Sequence, residues 1–144
     1  MSVVLTNIAS LSLMARGDIR PARFIKISAS QDHACEEADA NERIIGIAEE
    51  GSRQAPIPSV TTVLEAASGD VCRAYGQGDT CLLELGGTVA RNGGIKSDGD
   101  GKGVAVAITG TTIQNWGAIA LESGVSGEKI KVKVHIAVVL PAVA

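Results

Sequence analysis

Residues 129–136 read Lys-Ile-Lys-Val-Lys-Val-His-Ile. Side chains of an extended chain point to alternate faces, so Lys131, Lys133 and His135 share one face while Ile130, Val132, Val134 and Ile136 share the other. This is the pattern of a half-buried β-strand. The same period of two recurs in Phe24-Ile25-Lys26-Ile27 and in Val104-Ala105-Val106-Ala107-Ile108. Between such runs lie turn clusters at 16–18, 76–79, 91–94, 97–103 and 123–127, rich in Gly, Asp and Asn. Short strands separated by Gly-rich turns predict an all-β domain, a small β-barrel or β-sandwich. One stretch departs from the pattern. After Pro56 and Pro58, residues 59–67 predict one short helix, with Ser59 as its cap and Ser68-Gly69 as its stop.

A chain of 144 residues fits one domain and one core, burying roughly 68–70% of the surface of its unfolded form. Its only aromatic residues are Phe24, Tyr75 and Trp116, so the core is built from Val, Ile, Leu and Ala. Thirteen basic against 16 acidic residues give a net charge of -3. That balance supplies no basic face for nucleic acid, and aromatic stacking platforms are missing as well. Residues 1–14 carry no charge, yet they lack the basic start of a signal peptide and are too short and polar to span a bilayer. Residues 1–16 are therefore expected to form an N-terminal arm or a first strand, and residues 17–144 a single β-rich domain without membrane contact.

Three cysteines do not make a disulfide framework, and reduced thiols are expected. If Cys72 and Cys81 flank a hairpin turn at 76–79 with Tyr75 opposite Thr80, their sulfurs share a face but sit on a diagonal of roughly 7–8 Å, too long for a bridge. The two halves of the chain also echo each other. Gly17-Asp18-Ile19-Arg20-Pro21-Ala22-Arg23-Phe24-Ile25-Lys26 leads to Ile45-Gly46-Ile47-Ala48, as Gly87-Thr88-Val89-Ala90-Arg91-Asn92-Gly93-Gly94-Ile95-Lys96 leads to Trp116-Gly117-Ala118-Ile119. Two related β units building one barrel are expected.

No catalytic or metal constellation emerges. Asp98-Gly99-Asp100-Gly101-Lys102-Gly103 has the look of a calcium loop, but an ammonium stands at its fifth position and Thr109 at the twelfth, where a bidentate Glu is needed. As a phosphate loop it fails too, with Lys96 in place of the first glycine and Gly103 in place of Ser or Thr. The structural reading is a Gly-Asp tip between two strands. His33 and Cys35 lie in a polar, acidic segment with Glu36, Glu37 and Asp39, His135 is on the solvent side of a strand, and no Gly-x-Ser-x-Gly elbow or zinc spacing occurs. Neither enzyme activity nor a cofactor is expected.

Four segments, GDIRPARFIKIS at 17–28, RIIGIAEEG at 43–51, CLLELGGTVARNGGIKSDGDGKGVAVA at 81–107 and WGAIALESGVSGEKIKVKVHI at 116–136, together resemble the head decoration, or capsid cement, proteins of tailed bacteriophages. The resemblance implies a non-catalytic β-rich virion protein, made in the host bacterial cytoplasm. Such a protein docks on the outside of the mature shell and holds major capsid protein subunits against internal DNA pressure. It also implies self-association as a homotrimer, and marks residues 56–68 as an insertion. The uncharged N-terminal segment is either the first strand of the chain's own sheet or an arm that adds to a strand edge of a capsid or neighbouring subunit. Val3, Val4, Leu5 and Ile8 would then make the capsid or subunit contact. The alternative reading is a virion-displayed carbohydrate- or host-surface-binding β-domain, for which only Tyr75 and Trp116 offer platforms.

Overall fold

The computed structural model describes residues 10–50, 64–107 and 110–139. Ten strands account for its regular structure: β1 (Ser10–Ala15), β2 (Phe24–Ile27), β3 (Ala34–Glu37), β4 (Gly46–Ala48), β5 (Val71–Tyr75), β6 (Thr80–Glu84), β7 (Gly94–Ser97), β8 (Gly103–Ala105), β9 (Gln114–Ala120) and β10 (Lys129–Val139). The all-β expectation holds, and no helix occurs among the described residues. The expected helix at 59–67 lies partly outside them. Its described end, 64–67, is not helical, and Ala66 forms an antiparallel bridge with Ile19. Sheet pairing there prevails over a cap-and-stop signal written on a β-branched sequence.

The first five strands close into a barrel in the order β1-β3-β2-β4-β5, and the last five form a sheet in the order β6-β10-β9-β7-β8. These are the same arrangement twice. Parallel pairs Met14–Ala34 and Ala15–Cys35 close the first unit, and a single parallel bridge, Leu85–Gly103, stands at the matching place in the second. The Tyr75–Ile47 and Ala74–Ala48 pairs recur as Lys133–Ile119 and Val132–Ala120. The Ile19–Ala66 bridge recurs as Val89–Gly124. Even the turn before the last strand repeats: Ala15 N–H donates to Asp70 O and Leu85 N–H to Glu128 O, both at 2.8 Å, with Gly69 and Gly127 at φ of 92° and 90°. Those two turns need the left-handed backbone that glycine adopts without a Cβ penalty. The echo in the sequence is thus a tandem repeat, but the two units do not build one barrel. Each forms its own five-stranded unit.

Between Ala48 and Ala66 the first unit has 14 more residues than the second has between Ala120 and Gly124, a span of 18 against 4. The extra length falls across the segment expected to be an insertion, 56–68, of which 56–63 lie outside the described residues.

Burial explains why the units stay together. The first barrel is filled by small side chains, Ala15, Ile19, Ile25, Cys35, Ala48, Ala66, Cys72 and Ala74. A larger core lies between the units, where Phe24, Ala38, Ile44 and Ile47 of the first pack on Leu83, Leu85, Val89, Ile95, Ile130, Val132 and Val134 of the second. Phe24 is fully buried in this seam. A chain with one Phe places it where two thin units meet, since an aromatic side chain brings the largest buried area to a joint.

Candidate interaction surfaces

The Gly-Asp tip at 98–102 joins β7 to β8 as expected, and its carboxylates serve the protein itself. Asp98 Oδ1 accepts the N–H groups of Asp100 (2.8 Å) and Lys102 (2.9 Å), which folds the turn. The tip then lies on the first unit. Gly101 O accepts from Phe24 N–H at 2.8 Å, and Asp100 O accepts from Arg23 Nη1 at 2.8 Å. Arg23 Nη2 donates to Glu84 Oε2 at 3.1 Å, and Lys102 Nζ stands 3.4 Å from the same oxygen. A second clasp uses Asn41, at φ 55°. Its side chain donates to Ile113 O at 2.8 Å and accepts from Asn115 N–H at 3.0 Å, while Asn115 Nδ2 donates to Asn41 O at 2.8 Å. Both clasps join residues more than 60 positions apart, so no local motif announced them.

The cysteines are free and buried. The proposed hairpin between Cys72 and Cys81 does not exist, because β5 pairs with β1 and β4 while β6 pairs with β10. The chain changes sheets at the 76–79 turn. Cys72 instead meets Cys35 inside the first barrel, and its hydrogen bond to that thiol, with burial, raises its pKa. Burial pushes the Cys81 thiol up to about 12. Neither is an activated nucleophile, which requires a lowered pKa and access.

The acidic segment is neutralised locally. Glu37 pairs with Arg20 (2.8 Å) and Glu42 with Lys26 (2.7 Å), with Asp39 at 3.8 Å from the same ammonium. The Lys26 ammonium holds the Glu42 carboxyl below its ordinary range, and the Glu37 carboxylate raises Arg20. Among the described residues no group of three or more His, Cys, Asp or Glu is placed to hold a metal. His135 is half-buried rather than on an open face. A β-bulge between Val134 and Ala137 breaks the alternation there, and the ring meets Trp116 edge-on at 6.3 Å between centroids. Trp116 also covers Gly94, so it is no open platform for a sugar.

What remains exposed is a set of sheet faces. Lys129, Lys131 and Lys133 point outward from β10, as the alternation requires. Beside them stand Leu82, paired with Lys131, Ile119, paired with Lys133, and the exposed Leu121. Lys131, Leu82, Thr80 and Cys81 line a groove of about 250 Å³ whose other wall is Glu50 and Tyr75 of the first unit. The expected contact residues Val3, Val4, Leu5 and Ile8 lie outside the described residues, and the described part of their segment, Ser10–Ala15, is strand β1 of the barrel.

The fold has a solved counterpart. The gp8.5 N base of the head fiber of bacteriophage phi29 is similar over 87% of this chain and 92% of its own, with a TM-score of 0.56 and 16% sequence identity. At that identity the likeness is one of fold. No family model matches the sequence, and no curated protein matches it.

Proposed function

We propose that this chain is a structural protein of a tailed-phage virion, without catalytic activity, that binds the outer surface of the mature capsid and stabilises the shell against the pressure of packaged DNA. The observation that carries the reading is the likeness over nearly the full length of both chains to a domain that serves as the base of a phage head fiber. The sequence resemblance to capsid decoration proteins points the same way. The architecture also suits the task. Two thin units locked by a shared core and two polar clasps make a rigid body. Its partners are the major capsid protein and, in a trimer, further copies of itself; residues Val3, Val4, Leu5 and Ile8 belong to the contact in this reading.

The test is co-sedimentation of the purified protein with expanded capsids that lack it. Saturable binding to expanded shells and not to unexpanded ones, with a raised shell melting temperature, is the expected result. Absence of binding to expanded shells removes the reading. A variant lacking residues 2–9 tests the contact residues, since it should remain folded and bind more weakly.

A further inference from the structure

We propose that the outer face of the second sheet, centred on Lys129, Lys131 and Lys133 of β10, is a docking surface for a carboxylate-rich protein surface. The inference rests on the capsid-binding reading for the identity of that partner, the shell.

The three lysines of β10 stand out by their lack of partners. The chain has six lysines. Lys26 is paired with Glu42, Lys102 with Glu84, and Lys96 donates to Gln114 at 2.8 Å. The three on β10 have no ion pair or side-chain hydrogen bond among the described residues. Alternate residues on one face of a strand are about 7 Å apart, so three ammonium groups repel one another along a single line. The nearby carboxylates do not relieve this. Glu84, opposite Lys129, is held by Arg23 and Lys102, and Glu122 accepts the backbone N–H of Lys131. Glu50, across the groove from Lys131, makes no ion pair with it.

The first unit serves as an internal control. The repeat superposes Lys129, Lys131 and Lys133 on Val71, Arg73 and Tyr75, as the shared partner positions show: Thr80 with Ser10, Leu82 with Ser12, Ile119 with Ile47. The same fold thus carries one cation where the second unit carries three, and Glu49 where the second has Leu121. Folding does not require the lysine stripe. The second unit has also gained Leu82 in place of Ser12, so apolar side chains flank the row of charges. Cations flanked by half-buried aliphatic groups fit a protein surface with carboxylates around apolar contacts. Nucleic acid is the poorer fit, because Glu84, Glu122 and Glu50 stand beside the three lysines and would face its phosphates.

Four proteins decide the matter: the wild type, the triple Lys→Glu variant, the triple Lys→Gln variant and Arg73→Glu, the last changing the equivalent face of the first unit. The Gln variant should melt as the wild type does, because the lysine side chains are exposed, and the two Glu-bearing variants should stay folded, the triple one melting somewhat lower because it sets a carboxylate opposite Glu84. In co-sedimentation with expanded capsids the wild type should bind, more weakly at high salt, the Gln variant should lose several-fold and the Glu variant at least tenfold. Arg73→Glu should bind as the wild type does. Carbodiimide coupling on the shell should join Lys129, Lys131 or Lys133 to shell carboxylates. Wild-type binding that the Glu variant retains, or that Arg73→Glu loses equally, overturns this inference and leaves the capsid reading standing. If the wild type does not bind capsids, the capsid reading falls, and a second measurement judges the surface itself. Polyglutamate added to protein with ¹³C-methylated lysines should shift the three β10 signals ahead of Lys26, Lys96 and Lys102. Uniform shifts, or tighter binding to duplex DNA or to anionic phosphatidylserine vesicles, overturn it.

Discussion

Arg23 of the first unit and Glu84 of the second form an ion pair at 3.1 Å in which the Arg side chain is only 8% exposed. The pair is the polar centre of the joint between the repeats, because Arg23 also reaches Asp100 O and Glu84 also meets Lys102. Removing one partner of a buried pair strands the other, and that penalty outweighs the net worth of the intact pair.

Arg23→Ala should therefore lower stability by roughly 2–3 kcal/mol, short of the fully buried case because Lys102 still faces Glu84. Glu84→Gln should cost less, about 1–2 kcal/mol, since an amide oxygen still accepts from the guanidinium. A double-mutant cycle in chemical denaturation measures the coupling. Additive effects would mean that the pair does not hold the seam.

Gly46 gives a sharper test of the repeat. A Cβ built there lies 2.3 Å from the Tyr75 carbonyl oxygen, a backbone atom that cannot swing away. Its counterpart in the second unit is Ala118, set by the pairs Ile25–Gly46 and Ile95–Ala118. Gly46→Ala should cost about 3 kcal/mol or more, because strand β4 must shift off β5. Ala118→Gly should cost less, about 1–2 kcal/mol from backbone entropy and the loss of one buried methyl group. Thermal melts of the two variants report the difference, and equal losses would contradict the close approach.

The elements that were legible in the sequence are those whose signal is local. The alternation in residues 129–136 located β10, and the Gly-Asp tip at 98–102 was readable as a turn between strands. The repeat was legible as a spacing of similar loops. Its architecture was not, because whether two units share one barrel or form two depends on where the chain changes sheets. That happens at 76–79, in a turn that looks like any hairpin. For the same reason the pairing of Cys72 was misjudged. Its neighbour is Cys35, brought across the barrel by β1, which pairs with both their strands. The described end of the helix expected at 59–67 is not helical, because nothing local encodes the bridge from Ala66 to Ile19. The alternation marks the lysine stripe as the solvent side of a strand, and only the equivalent strand of the first unit shows that the fold does not need it.

Alkaline pH should unfold this protein early. Cys81 has its thiol raised to about 12 from 9.0 by burial, and burial raises Tyr75 as well. An acid whose folded pKa lies above its unfolded value gives stability that is complete below the unfolded pKa. It is lost as pH rises toward the folded one. For Cys81 the window runs from pH 9 to about 12, with a slope of at most about 1.4 kcal/mol per pH unit. The melting temperature should fall over that range, and Cys81→Ala should flatten the fall after a constant loss for the smaller side chain. Below pH 9 a thiol reagent should label none of Cys35, Cys72 and Cys81 until the chain unfolds. Rapid labelling of the native protein would contradict their burial.

The Asp98 loop should be indifferent to metal and sensitive to mutation. Its Oδ1 is committed to the N–H groups of Asp100 and Lys102, and the Lys102 ammonium lies among the loop's acidic neighbours, 3.4 Å from Glu84. A divalent cation would have to displace those N–H donors and sit beside a fixed positive charge. A ligand that binds only the native state must raise its melting temperature, so calcium, magnesium and a chelator should each leave the melt unchanged. Asp98→Ala, in contrast, removes the acceptor for two backbone donors and should cost about 1–3 kcal/mol. Asp98→Asn keeps an acceptor oxygen and should recover most of that loss. A calcium-dependent rise of several degrees, abolished equally by the Ala and Asn variants, would assign the carboxylate to the ion. Recovery by Asn without any calcium effect assigns it to the turn that carries Gly101 onto Phe24 and so holds the two repeats together.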